Sequence, residues 1–130
     1  MLFAYPLGTN SAPRHVIVGH FIGAASGYVA LACTGLLAVP FSMHIGPHRV
    51  LAAAIALGLT AGALSLAKTD HAPAGATTLI VALGILPRLV DCVFLMVAVV
   101  ILTLIAFVVN RAFGIPYPFW TSAQERRERA

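Results

Sequence analysis

The sequence predicts an all-α protein. It reads as a polytopic transmembrane helical bundle of three to four membrane-spanning or re-entrant helices, in one integral membrane domain over residues 1–130. Three observations lead there. Hydrophobic residues make up 60% of the chain and charged residues only 9%, where a soluble domain carries roughly 25% charged. Mean hydropathy is +0.95. The apolar residues are gathered in runs near the ~20 residues a helix needs to cross lipid, with Lys and Arg at the run ends.

Residues Met1 to Arg14 are mixed. LFAYPLG is apolar but short, and TNSAPR reads as a turn. There is no charged leader ahead of an apolar stretch, so no cleavable signal is expected and insertion relies on the spans. The first span is placed at 16–39, uncharged throughout and ended by Pro40. A loop with His44, Gly46, Pro47, His48 and Arg49 follows. His44 and His48 have an i, i+4 spacing, but the Gly-Pro between them argues against a helical metal pair. The second span is placed at 50–67, short and rich in Ala and Leu, with Arg49 and Lys68 snorkelling at its ends. A third apolar run, 73–86, is closed by Pro87. It covers roughly 21 Å as a helix, short of the ~30 Å hydrocarbon core. Two readings stand: re-entry from one face, or a short buried crossing. The strongest span, 89–109, has Asp91 near its start and Asn110 and Arg111 at its end. The aromatic IPYPFW then suits the membrane interface, and the polar tail within 117–130 is expected to fray on the cytoplasmic side.

With four crossings, Arg14, Lys68 and the tail share one side, opposite Arg49 and Arg88. That split is more asymmetric than the three-crossing one, and it puts both ends in the cytoplasm by the positive-inside rule; a bacterial inner membrane is the expected location. The formal charge of +4 and pI near 9.7 raise nucleic acid as a partner, but the basic residues are scattered at span ends, with one cluster at Arg126, Arg127 and Arg129. They read as anchors. Cys33 and Cys92 each read as a buried, inert thiol. No cofactor, metal set or catalytic pair is expected, and no enzymatic role.

Gly19, Gly23 and Gly27 recur every four residues and share one helix face, and Gly58 and Gly62 repeat the spacing in the second span. Small-residue faces let helices approach closely in lipid. Their partner is either within the chain or a second subunit; a homo-oligomer is expected. His20 lies beside the first such face, as an interhelical hydrogen bonder or a pore-lining donor. Ser26 and Tyr28 read as packing residues. Asp91 and Asp70 are the acids before the tail, read as ion pairs with Arg88 or Lys68 or as a proton or cation relay.

The segment His71 to Thr78 concentrates polar groups where the chain turns apolar, which is costly unless they face protein or water. Pro73 suits the first position of a helix and pushes Ala72 toward extended geometry. Ala72 is then a cap without a side-chain acceptor, and the N–H groups of Ala74, Gly75 and Ala76 are expected to lack local partners at the positive end of the helix dipole. Thr77 and Thr78 add hydroxyls and His71 stands at the entrance. Together these describe an anion site.

SAPRHVIVGHFIGAASGYVAL resembles the first signature of the HPP family of small integral membrane proteins, a Pro-Arg-x-x-x-x-Gly-His pattern. DHAPAGATTLIVALG is similar to that family's naming motif, His-Pro-Pro-Ala-Gly-Ala-Thr, with Ala72 where the motif has Pro. NRAFGIPYPFW is similar to its usual ending. Members usually have another apolar span before SAPR, of which only LFAYP stands here. The resemblance implies a transporter, with nitrite the anion linked to plastid and cyanobacterial members. His20, His71, Pro73, Ala74, Gly75, Ala76, Thr77 and Thr78 are thus the candidate binding residues for a small inorganic anion. The rival reading is a membrane interaction or assembly protein that transports nothing, or a truncated family member that needs a partner chain.

Overall fold

The computed structural model describes residues 1–42 and 45–128, without the side chains of Arg126 and Glu128. It is helical, with no strand among the described residues. The helices are α1 (Pro13–Cys33), α2 (Pro47–Leu66), α3 (Pro73–Ala82), α4 (Leu89–Ala112) and α5 (Ala123–Glu128), preceded by a 3-10 turn over Thr9–Ser11. Three of them are long and apolar enough to cross a membrane: α1, α2 and α4, of 21, 20 and 24 residues.

The helix limits differ from the expected ones for local reasons. α1, α2 and α3 each begin with Pro, at Pro13, Pro47 and Pro73. There the missing N–H loses no helical bond, so α1 and α2 start three residues early. The C-terminal ends are set by a common closure. At α1, Leu36 N–H donates to Leu31 C=O and Gly35 N–H to Ala32 C=O, stopping the helix well before Pro40. Gly84 and Gly114 make the same turn after α3 and α4, with φ of +79° and +76°. α2 closes the same way on Lys68, a non-glycine residue at φ +48°. α3 is therefore only ten residues, about 15 Å long, and does not run on to Leu86. Cys33, at the end of α1, is exposed, contrary to expectation, because the helix stops there; Cys92 is buried.

α1 is the central helix, touching α2, α3 and α4. Its glycine face meets α3, and the two run parallel. A Cβ placed on Gly19 would meet the Cβ of His71, one on Gly23 the carbonyl oxygen of Ala74, and one on Gly27 the Cβ of Val81, each under 3 Å. Ala24, Leu31, Ala52, Val81 and Cys92 form the main apolar cluster, with Tyr28 packed against it. Ser26 is also buried. Gly58 and Gly62 have nothing within 4 Å of their notional Cβ; the second glycine face is not a contact within the described chain.

Hydrogen bonds fix the chain's course. At one end of the bundle, Arg14 N–H donates to Trp120 C=O at 3.1 Å, and the Arg14 guanidinium donates to Ala67 C=O at 3.0 Å. At the other, Phe41 N–H donates to Gly84 C=O at 2.7 Å, while Arg49 donates to Val39 C=O at 3.0 Å and Pro40 C=O at 3.3 Å. The chain thus runs the length of the bundle four times, α3 making one short leg, and residues 1 and 128 lie at the same end.

Through residue 128 the tail is held by contacts, not frayed. Tyr117 is fully buried and donates its hydroxyl to Ser11 C=O. Burial also pushes its phenol up to about 12. α5 brings Glu125 back onto the start of α1. Arg126 and Arg129, two members of the expected basic cluster, and His44 of the histidine spacing lie outside the described residues or side chains.

Candidate functional site

At the end of the bundle that holds both termini, a cleft of about 900 Å³ opens between α2 and α3. Thr60, Ala61 and Ser65 line it from α2; Lys68, Asp70 and His71 from the loop. Gly75 lines it from α3, His15 from α1 and Glu125 from α5. The cleft exists because α3 starts late. His71 packs on Gly19, six residues or about 9 Å into α1. The connection from α2 therefore dips inward to reach α3, carrying its polar residues with it.

The polar groups are held tightly. His15 Nδ1 accepts the Asp70 N–H at 3.0 Å, so the neutral ring carries its proton on Nε2. Nε2 faces Glu125 Oε2 at 3.1 Å. The other Glu125 oxygen takes Arg14 at 2.7 Å. His71 Nδ1 lies 3.1 Å from Asn10 C=O. A carbonyl only accepts, so Nδ1 carries the hydrogen and the neutral ring leaves Nε2 bare. That Nε2 is buried and has no hydrogen-bond partner among the described residues. Burial lowers the His71 pKa from 6.5, more than the Asn10 carbonyl raises it. His20 stacks edge-on to His71, ring centroids 4.8 Å apart, and its Nδ1 sits 2.7 Å from Thr77 Oγ1. Deeper in, Thr78 and Thr60 hydroxyls meet at 2.7 Å across α3 and α2.

The expected site is only partly assembled. His71 and Gly75 line the cleft. Ala74, Thr77 and Thr78 are buried; Ala74 and Thr78 pack on the α1 glycine face, and His20 joins them through Thr77. Ala76 is exposed and Pro73 half-buried. The expected free N–H groups are not found at two of three positions: Ala74 N–H donates to His71 C=O at 3.0 Å and Gly75 N–H to Ala72 C=O at 3.1 Å. Ala72 is helical, φ −53° and ψ −37°, because the tight turn that buries His71 overrides the preference Pro73 imposes. The helix start is therefore closed at Ala74 and Gly75. His15, Thr60, Lys68 and Glu125 were missing from the expected site. The signal for the Arg14–His15–Glu125 set was weak in sequence: one of two acids in a basic tail, 110 positions from its histidine.

Asp91 does pair with Arg88. Its carboxylate takes the Arg88 N–H at 3.1 Å and the guanidinium at 3.0 Å, closing the start of α4, which raises the Arg88 pKa. Asp70 makes its described contact through its N–H, to His15.

Three long apolar helices with a polar cleft buried at one end define a multi-pass integral membrane protein. Comparison with known families is specific: the HPP transmembrane region matches residues 1–118, and the chain belongs to the HPP family. It is also 28% identical over 127 residues to a transmembrane protein of Dictyostelium discoideum, a match covering 92% of this chain and 42% of the relative. The chain thus spans less than half the length of that relative. No solved structure matches it.

Proposed function

We propose that the chain passes a small inorganic anion, with nitrite the first candidate, through the cleft at the start of α3. One observation carries this reading: a cleft lined by the polar side chains of Thr60, Ser65, Lys68, Asp70 and His71 opens inside a helical membrane bundle. Polar groups at such a place are costly and are a functional-site hypothesis by default. No enzymatic chemistry is proposed. The end with Arg14, Lys68, Arg111 and Arg127 is assigned to the cytoplasm, against Arg49 and Arg88 at the other, in a bacterial inner membrane.

The test is flux in liposomes. Reconstituted protein is expected to move nitrite faster than protein-free vesicles. Gly75→Leu, which fills the cleft toward Leu57, 4.0 Å from the notional Cβ, is expected to cut that rate at least tenfold. Absence of flux for nitrite and every other small anion tried rejects the reading. The unpartnered Gly58 and Gly62 face favours a second reading, in which the chain assembles with another copy or another membrane protein and transports nothing.

A further inference from the structure

Building on the transport reading, we propose that the cleft takes its anion as the conjugate weak acid, so that a proton travels with it, and that His71 Nε2 is the proton acceptor. The geometry points there. With Nδ1 committed to Asn10 C=O, neutral His71 offers a lone pair and no hydrogen at Nε2, and that atom has no partner among the described residues. A lone pair cannot bind a bare anion; it asks for a ligand that brings an O–H.

The charges around the cleft agree. From the loop come Lys68 and Asp70, of opposite sign. From α5 comes Glu125, whose oxygens are taken by Arg14 and His15 of α1. From α1 also comes His20, edge-on at 4.8 Å. α2 contributes the hydroxyls of Thr60 and Ser65, and the 3-10 turn contributes Thr9. The formal charges of Arg14, Lys68, Asp70 and Glu125 cancel, so an unaccompanied monoanion meets no net attraction. A neutral acid enters without that handicap. At His71 its O–H bond breaks, the proton bonds to Nε2, and the electron pair stays on the oxygen. An imidazolium–anion pair results, with charge balanced inside the site. Two imidazolium rings this close repel, so His20 stays neutral while His71 is charged. Release reverses the step: the proton leaves with the anion and Nε2 is bare again.

The experiment uses the full chain in liposomes, with potassium and valinomycin fixing the membrane potential, a trapped pH dye, and sodium nitrite as the probe. Protein-dependent nitrite entry should carry one proton per anion and be indifferent to imposed potential. At steady state nitrite should gather about tenfold per unit of inside-alkaline pH gradient, the ratio one coupled proton provides. His71→Gln, which takes up no proton, should lose protein-dependent, proton-coupled entry. Protein-dependent entry that follows the potential and ignores the pH gradient overturns the proposal and leaves anion transport standing. Entry that stays proton-coupled in His71→Gln overturns the role of His71. No protein-dependent flux under any gradient overturns both the proposal and the transport reading. The wild-type stoichiometry decides the coupling even if the variant fails to insert.

Discussion

Gly23 and Ala74 approach so closely that a Cβ on Gly23 would stand 2.6 Å from the Ala74 carbonyl oxygen. The obstacle is backbone, not a flexible side chain, so it cannot swing aside. Gly23→Ala must push α1 and α3 apart and is expected to cost about 1–3 kcal/mol, the usual cost of overpacking. Gly58→Ala and Gly62→Ala meet open space and should be neutral or slightly stabilising through helix propensity, about 1 kcal/mol at most. Thermal unfolding of the three variants in detergent checks the contrast. If the α2 face joins two copies, Gly58→Ile should lower the oligomer population in cross-linking without lowering the melting temperature of the monomer.

Lys68 closes α2 with a left-handed backbone, φ +48°. Three other helices make this turn with glycine. Lys68→Gly should therefore raise stability by about 1 kcal/mol, read as an upward shift of the thermal midpoint. A midpoint that falls would mean the ammonium group, not the turn, matters more at this position.

Glu125 ties α5 to both Arg14 and His15. Glu125→Gln removes the charge while keeping the shape and should cost about 1–3 kcal/mol, the range for charge-assisted bonds at a buried site. The loss should be local. Hydrogen exchange is expected to quicken over residues 117–128 while α3 amides stay protected. Uniform loss of protection would show the tail is part of the global unit.

Acid should loosen the cleft. The folded-state pKa of His71 is lowered from 6.5 by burial, so the unfolded chain binds its proton first. Its contribution to stability is complete above pH 6.5 and falls as pH drops below that value toward the folded pKa. His71→Gln should flatten this part of the stability curve, measured as thermal midpoint against pH between pH 7 and 5. An unchanged slope would place the acid sensitivity elsewhere.

Much of this architecture was legible in the residues. Apolar runs marked the spans, Pro73 marked a helix start, and the Gly19, Gly23 and Gly27 register marked the face that seats α3, while Pro13 and Pro47 read as turn and loop. These signals are local or periodic. The helix ends were harder to read, since Gly35 and Gly84 close helices whose apolar sequence continues past them. The site was half legible. His71, Gly75 and the threonines stood out as polar groups in an apolar chain, but the availability of the Ala74 and Gly75 N–H groups depended on the conformation of Ala72. The Glu125 contacts join residues more than a hundred positions apart, where no spacing rule reaches.

Those contacts also have a temporal side. Arg14 and His15 open α1, yet their acidic partner lies 111 and 110 positions later. During synthesis α1 must wait for α5 to leave the ribosome before Arg14 and His15 find Glu125. Until then they depend on water and lipid headgroups at the membrane surface. α5 completes the entrance that α1 began, so the cleft takes its final form only after residue 125 has emerged.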